Sequence, residues 1–296
     1  MNRFWSILFL LVPVLAVGTF LLNQFSIWPF DAVWFGDSLS GAGETIDSIF
    51  NGIHVLAALI LIGTVTAIGW ALWKFDASRY PENDRATYFT HNTKLELIWT
   101  LIPAAILVVL AFVQMGSWSE NKMQRPTTEI NGQQVETPPT VLVKAKQFGW
   151  EFYYPGKDGK IETEDDLYIE NLLVVPVNTD VVLQLESRDV IHSFFVPELR
   201  LKQDIVPGMV QFAWFNANQT CDIEVLCTEL CGWGHYKMKS AMRIVSAAEY
   251  NTWLQALQDQ HYPNYQAAVK KAAHHDGDPA DEAPANREPV LAGGAN

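Results

Sequence analysis

CTELCGWGHYKM, residues 227–238, sets two cysteines, a glutamate, a histidine and a methionine within twelve positions of a chain that has only three cysteines. Three cysteines are too few for a disulfide framework, and any pair leaves one over. A Cys227–Cys231 disulfide remains one reading. A structural zinc site completed by His235 and a second histidine is another. A third is the redox pair of a thioredoxin-like copper-delivery domain on a membrane anchor. Met238 counts against the first two, because a thioether is a poor zinc ligand and irrelevant to a disulfide, yet is a familiar weak axial ligand for copper. A single blue copper takes one cysteine, two histidines and a methionine. Two cysteines point instead to two coppers bridged by two thiolates, with one histidine each. RDVIHSFFVPELRLKQDIVPG (188–208) offers the missing histidine, His192, ahead of aromatic residues.

The compartment of that cluster follows from the rest of the chain. FWSILFLLVPVLAVGTFLL (4–22), IHVLAALILIGTVTAIGWALW (53–73) and LIWTLIPAAILVVLAFVQM (97–115) are apolar runs. The last two carry no charge over about 20 residues, the length needed to cross roughly 30 Å of hydrocarbon as a helix. The first, led by Arg3, reads as a signal peptide or an extra N-terminal membrane helix. Residues 23–52 contain no lysine or arginine, whereas the loop between the two spans holds Lys74, Arg79, Arg85 and Lys94. That loop is expected on the cytoplasmic side, so residues 23–52 and everything after Met115 lie outside.

Beyond a linker at 119–139, residues 140–246 change to short runs rich in valine, isoleucine and aromatics, among them TVLVKAKQFGWEFYY and CDIEVLC, broken by turn signals such as PGKDGK and NTD. Such spacing argues for an antiparallel sandwich or barrel. AAEYNTWLQALQDQ (247–260) reads as an amphipathic surface helix. The tail from His274 is polar and proline-rich, with the composition of disorder. A net charge of −13 makes nucleic acid a poor partner and suits a basic one. Much of that charge lies outside the membrane runs, as in ETEDD (162–166).

With these residues in place, C-x-E-x-C-x3-H-x2-M and the upstream D-V-x-H-S resemble subunit II of the haem–copper cytochrome c oxidases, from the paired membrane spans through about Val245. The resemblance implies a membrane-anchored all-β chain: a two-helix transmembrane hairpin in the inner membrane, followed by a cupredoxin-like Greek-key β-sandwich on the extracytoplasmic side. It implies the binuclear copper centre called CuA, with Cys227 and Cys231 bridging, His192 and His235 each binding one copper, Met238 a weak ligand and Glu229 contributing its backbone carbonyl. The Glu229 side chain matches a ligand for magnesium or manganese at the interface with subunit I. Glu96 matches the glutamate at the mouth of a proton channel into subunit I. It also reads as the far half of a capping box begun by Thr93. The implied partners are subunit I, which carries the haems, subunit III, membrane lipid and a c-type cytochrome donor. One departure stands out. The family's aromatic strand reads Q-W-x-W and its first tryptophan receives the electron; here the strand is KQFGWEF, so electron uptake is expected near Phe148 and Trp150, with no indole N–H at the first position. Cys221 has no family role and is expected to be a buried core thiol.

A quinol oxidase subunit II shares hairpin and sandwich but lacks the copper ligands. A nitrous oxide reductase carries the copper motif on a much longer chain. A thioredoxin-like protein would show βαβ order, whereas residues after Thr140 read almost wholly as strand.

Overall fold

The computed structural model describes residues 2–25, 36–76, 80, 85 and 87–275. Three apolar helices come first: α1 (Asn2–Gln24), α2 (Gly41–Lys74) and α3 (Thr93–Trp118). All three are long and apolar enough to cross a membrane. The hairpin expected from the sequence is therefore joined by a third apolar helix. Gly69 explains how α1 lies so close to α2: a Cβ there would stand 2.9 Å from Leu10 Cγ. Ser6 Oγ donates to the Gly69 carbonyl at 2.7 Å, which satisfies a polar group that lipid would leave bare.

The α3 helix differs in detail from expectation. Its cap is Asn92, not Thr93: the Leu95 N–H donates to Asn92 Oδ1 at 3.2 Å. Asparagine in extended conformation is the stronger cap, so the helix takes Thr93 as its first residue. Glu96 Oε1 still reaches back to accept from the Asn92 N–H at 3.1 Å, and closes the reciprocal pair.

Outside the helices, a small hairpin of β1 (Thr127–Ile130) and β2 (Gln133–Glu136) precedes a two-sheet sandwich. One sheet has the order β10 (Gln211–Asn216), β7 (Asp180–Ser187), β3 (Val141–Lys146), β4 (Gly149–Tyr154), β5 (Leu167–Glu170). The other runs β6 (Leu172–Pro176), β12 (Lys239–Val245), β11 (Cys221–Cys227), β8 (His192–Val196), β9 (Leu201–Ile205). The expected antiparallel pairing holds except for β3 with β7 and β12 with β6, which are parallel. Parallel neighbours require a long crossover, and here the intervening chain crosses to the opposite sheet. No βαβ order occurs among the described residues, so a thioredoxin-like fold is excluded.

Between the sheets lie Val141, Val143, Trp150, Phe152, Leu183, Leu185, Phe194 and Val225, all fully buried. Tyr154 is the one buried phenol among them. Its hydroxyl donates to the Val174 carbonyl and accepts from the Val174 N–H, at 3.0 and 2.8 Å, so its burial leaves no polar group unmet. The C-terminal helix α4 (Ala247–His275) closes one end, with Trp253 edge-on to Tyr154 at 5.1 Å. It runs longer than the amphipathic stretch of 247–260, and the acidic part of the tail (276–296) lies outside the described residues.

The sandwich is fixed to α2 rather than hung from a linker alone. The Ser40 side chain caps α2 by accepting from Gly43 N–H at 3.1 Å and donates to the Leu199 carbonyl at 3.1 Å. Arg200 makes a two-pronged pair with Asp47, at 2.7 and 2.8 Å. Such a fork holds orientation as well as charge.

Candidate metal centre

Strand pairing assembles the site. β11 pairs with β8 so that Cys227 stands opposite Phe194, which carries Cys227, the last residue of β11, to the same end of the sheet as His192, the first of β8. The Thr228 N–H donates to Ser193 O at 3.2 Å and continues that pairing into the loop. The loop of residues 228–238 then closes on itself: Cys227 N–H donates to Met238 O at 3.2 Å, so both ends of the motif meet. A short 3₁₀ turn, His235–Lys237, points His235 back toward Cys231. Gly232 is required for the bend, with φ at +137° and Gln147 Nε2 only 2.7 Å from where a Cβ would sit.

Six donor groups converge as a result. Cys227 and Cys231 Sγ are 3.9 Å apart, as free thiols. His192 Nδ1 lies 3.9 Å from Cys227 Sγ, and His235 Nδ1 lies 3.7 Å from Cys231 Sγ. Met238 Sδ is 3.8 Å from Cys231 Sγ, and the Glu229 carbonyl oxygen is 3.3 Å from Cys227 Sγ. His192, Cys227, Cys231 and Met238 are buried, and His235 is half-buried. Among the described residues, His192, Cys227 and Cys231 are the one group of histidine, cysteine and carboxylate side chains gathered closely enough to hold an ion.

The spacing fits a metal. A tetrahedral ion with sulfur at about 2.3 Å holds two thiolates about 3.8 Å apart, close to what is seen. That geometry alone suits zinc as well as copper; the thioether and the one-histidine-per-thiol arrangement are what favour copper. Protonation behaves accordingly. Burial opposes charge on Cys227, but the neighbouring His192 ring and backbone groups outweigh it and hold the thiol down to about 6. Burial and the adjacent Cys227 push Cys231 up to about 11. Such a pair loses its first proton easily and its second reluctantly, and a bound cation favours both thiolates.

Two residues outside the donor set support it. Asp189 Oδ1 accepts from His192 Nε2 at 2.8 Å, which fixes the ring and leaves Nδ1 facing the sulfurs. Burial raises the Asp189 carboxyl, yet the Gln147 and Val190 N–H groups and His192 outweigh it and hold it low. Gln147 also donates its side-chain N–H to the Cys231 carbonyl, and so ties the β3–β4 turn to the metal loop. Asp189 lies in the D-V-x-H-S motif, three residues before the histidine, so its signal was present. Gln147 acts across 84 residues and left none.

The remaining predicted residues fall in different places. Trp150 is fully buried, 6.4 Å from the His192 ring and edge-on to Phe194 at 5.5 Å. Phe148 is half-buried under the metal loop. The Glu229 side chain is half-exposed, turned out of the cluster to which its carbonyl belongs. Glu96 is exposed near the opposite end of α3 from the sandwich, about 33 Å from Trp118 along the helix at 1.5 Å per residue. Cys221, expected in the core, is half-buried at the far end of β11 and packs against the core's edge.

A β-sandwich with a buried thiol–imidazole–thioether cluster, carried on apolar helices, defines a membrane-anchored cupredoxin-like protein with a candidate metal site outside the membrane. Residues 145–246 match the family described as "Cytochrome C oxidase subunit II, periplasmic domain", and residues 29–116 match "Cytochrome C oxidase subunit II, transmembrane domain". The "Cytochrome c oxidase subunit 2" of Cereibacter sphaeroides is 31% identical over 251 residues, covering 75% of this chain and 78% of that one. The "Alternative cytochrome c oxidase subunit 2" of Bradyrhizobium diazoefficiens is 29% identical over 293 residues, covering 91% and 98%. The crystal structure of the periplasmic domain of subunit II of the Bradyrhizobium japonicum cytochrome oxidase aligns with 43% of this chain and 98% of its own, at 27% identity and a TM-score of 0.38. This chain belongs to the cytochrome c oxidase subunit II family. It is a membrane protein with an extracytoplasmic domain.

Proposed function

We propose that this chain is the electron-accepting subunit of a terminal cytochrome c oxidase in the inner membrane, taking single electrons from a c-type cytochrome and passing them to haem in subunit I, where oxygen is reduced and protons are moved. The observation that carries the reading is the buried group of Cys227, Cys231, His192, His235 and Met238, with the Glu229 carbonyl beside it. These residues would hold two coppers, the thiolates between them and one imidazole on each. Two soft thiolates in a rigid frame would let such a pair share one electron with little change of geometry. The protein's own part is positional. Asp189 holds the His192 tautomer, Gln147 braces the Cys231 carbonyl, and the fold buries His192, Cys227, Cys231 and Met238 away from bulk water. The isolated chain should reduce no oxygen. Metal analysis of the purified full chain should find two coppers; a single zinc per chain would contradict the reading.

Two further roles extend it. The half-exposed Glu229 carboxylate would join magnesium or manganese at the subunit I interface, so Glu229→Gln should remove a bound-manganese EPR signal from the assembled oxidase; an unaltered signal would exclude the role. Glu96 would load protons toward subunit I from the cytoplasmic side. Glu96→Gln keeps an oxygen that can cap Asn92, so it should slow turnover of the oxidase while the copper spectrum and helix content stay unchanged. Equal turnover would leave Glu96 only its capping bond.

A further inference from the structure

We infer that Trp233, within the metal loop, is the ring through which this chain receives its electron, in place of the β3–β4 turn position held by Phe148. The inference rests on the copper reading above and concerns which side chain lies outermost. The loop is laid directly over Phe148. A Cβ on Gly234 would stand 2.6 Å from Phe148 Cγ, and one on Gly232 would stand 3.2 Å from its Cζ. The two glycines therefore let the loop backbone rest on the phenyl ring, which is left half-buried. Trp233 sits between those glycines. Its ring meets Phe148 edge-on at 5.1 Å and is 77% exposed. A donor approaching this face meets Trp233 before it meets Phe148.

Connection favours the same residue. Trp233 is two positions from Cys231 and two from His235, so a short covalent path leads from its ring to a thiol and an imidazole of the cluster. Phe148 lies on no covalent path that short: it reaches the cluster through Gln147 and its bond to the Cys231 carbonyl, or across its non-bonded contact with the loop at Gly232 and Gly234. Electron tunnelling weakens less through bonds than across gaps, so the tryptophan is the better-coupled ring as well as the outer one.

The loop also shows what should cover it. Leu230 and Tyr236 are 79% and 77% exposed, an apolar pair flanking an indole. Lys237 Nζ sits 4.6 Å from the Trp233 ring centre, so a cation stands beside the ring. A flat apolar ring with a lysine at its side matches an exposed haem edge, which is flat, apolar and bordered by propionate carboxylates. The occupant is therefore a c-type cytochrome docked haem-edge first. In the step itself, one electron would leave the donor haem, oxidising it, and pass to the copper pair that Cys227, Cys231, His192 and His235 would hold behind the loop. No bond and no proton change hands, and Trp233 provides coupling without being oxidised.

The test uses the whole oxidase and a reduced soluble c-type cytochrome as probe. Trp233→Phe should lower the second-order rate of electron transfer by about tenfold or more, the scale of losing a central interface aromatic. Phe148→Leu should lower it less. On the unaltered oxidase, hydroxyl-radical footprinting read by mass spectrometry should show Trp233 protected when the cytochrome is bound. The visible copper spectrum is recorded for every variant, so failure of the copper reading shows as a missing spectrum in the unaltered protein. An unchanged rate in Trp233→Phe, a larger loss in Phe148→Leu, or an unprotected Trp233 would each overturn the inference. If Trp233→Phe disturbs the copper spectrum, the footprint on the unaltered oxidase decides.

Discussion

The α3 helix and the β3–β4 hairpin are both dense in apolar side chains, yet they use them in opposite ways. No residue of α3 is buried by the rest of the chain, whereas Val141, Val143, Trp150 and Phe152 are completely enclosed. The helix satisfies its own backbone and leaves its side chains for surroundings that this chain does not provide. The sandwich supplies its own surroundings and can hold a metal cluster in one fixed arrangement. One region is built for lipid and partner subunits, the other to be rigid by itself.

A direct way to break that contrast is to remove one large side chain from each region. Phe152→Ala should cost about 3–5 kcal/mol, the range for a truncated core aromatic. Leu107→Ala, on a residue that is 65% exposed on α3, should change stability of the full chain in detergent by less than about 0.5 kcal/mol. Thermal unfolding followed by near-ultraviolet circular dichroism reads both. Comparable losses would mean that α3 packs against its own chain.

A smaller effect sharpens the account of the sandwich as a rigid holder. Asp189→Asn weakens the anchor on His192 Nε2 without touching a donor atom of the cluster. Copper affinity should fall by about 10- to 100-fold, the range seen when a partner behind a metal-bound imidazole is lost. Competition with a copper chelator measures it, and full affinity in the variant would show that the strands alone orient the ring.

The smallest effect concerns acid. Burial raises the Glu151 carboxyl, but its bonds to Lys146 and Arg188, at 2.8 and 2.6 Å, outweigh that and hold it below its ordinary value. Asp204 is held low by Lys202 and by Ser193. A carboxyl lowered on folding adds stability that is complete above its unfolded value, about 4, and is lost as pH falls through the lowered one. The thermal midpoint of the sandwich should therefore drop below about pH 4, and Glu151→Gln should flatten part of that drop. An identical acid profile in the variant would remove Glu151 from the account.

The same contrast explains what was legible in the sequence. Length and hydropathy suffice for a membrane helix, so residues 53–73 and 97–115 were readable from composition alone. Yet α2 begins at Gly41, well before that apolar run. Residues 41–52 are polar enough to stand outside lipid, and they are held by contacts that hydropathy does not register: Ser40 on Leu199 and Asp47 on Arg200. In the sandwich, strand-forming runs showed that sheets would form but not that β3 and β7, or β6 and β12, would run parallel, because those pairs are set by the crossover between sheets. The donors of the cluster were readable because the motif is dense. Gln147 was not, since its hydrogen bond joins distant parts of the chain. Trp233 is an unspecified position of C-x3-H in the motif, and only the fold sets it above Phe148.

On the proposed function, two thiolates and two imidazoles would hold a copper pair that shares one electron. Electron paramagnetic resonance of the oxidised, assembled oxidase tests it most directly. The account predicts a hyperfine pattern from one unpaired electron spread equally over two copper nuclei, absent in Cys227→Ser and Cys231→Ser. A pattern from a single copper nucleus in the unaltered protein would contradict it.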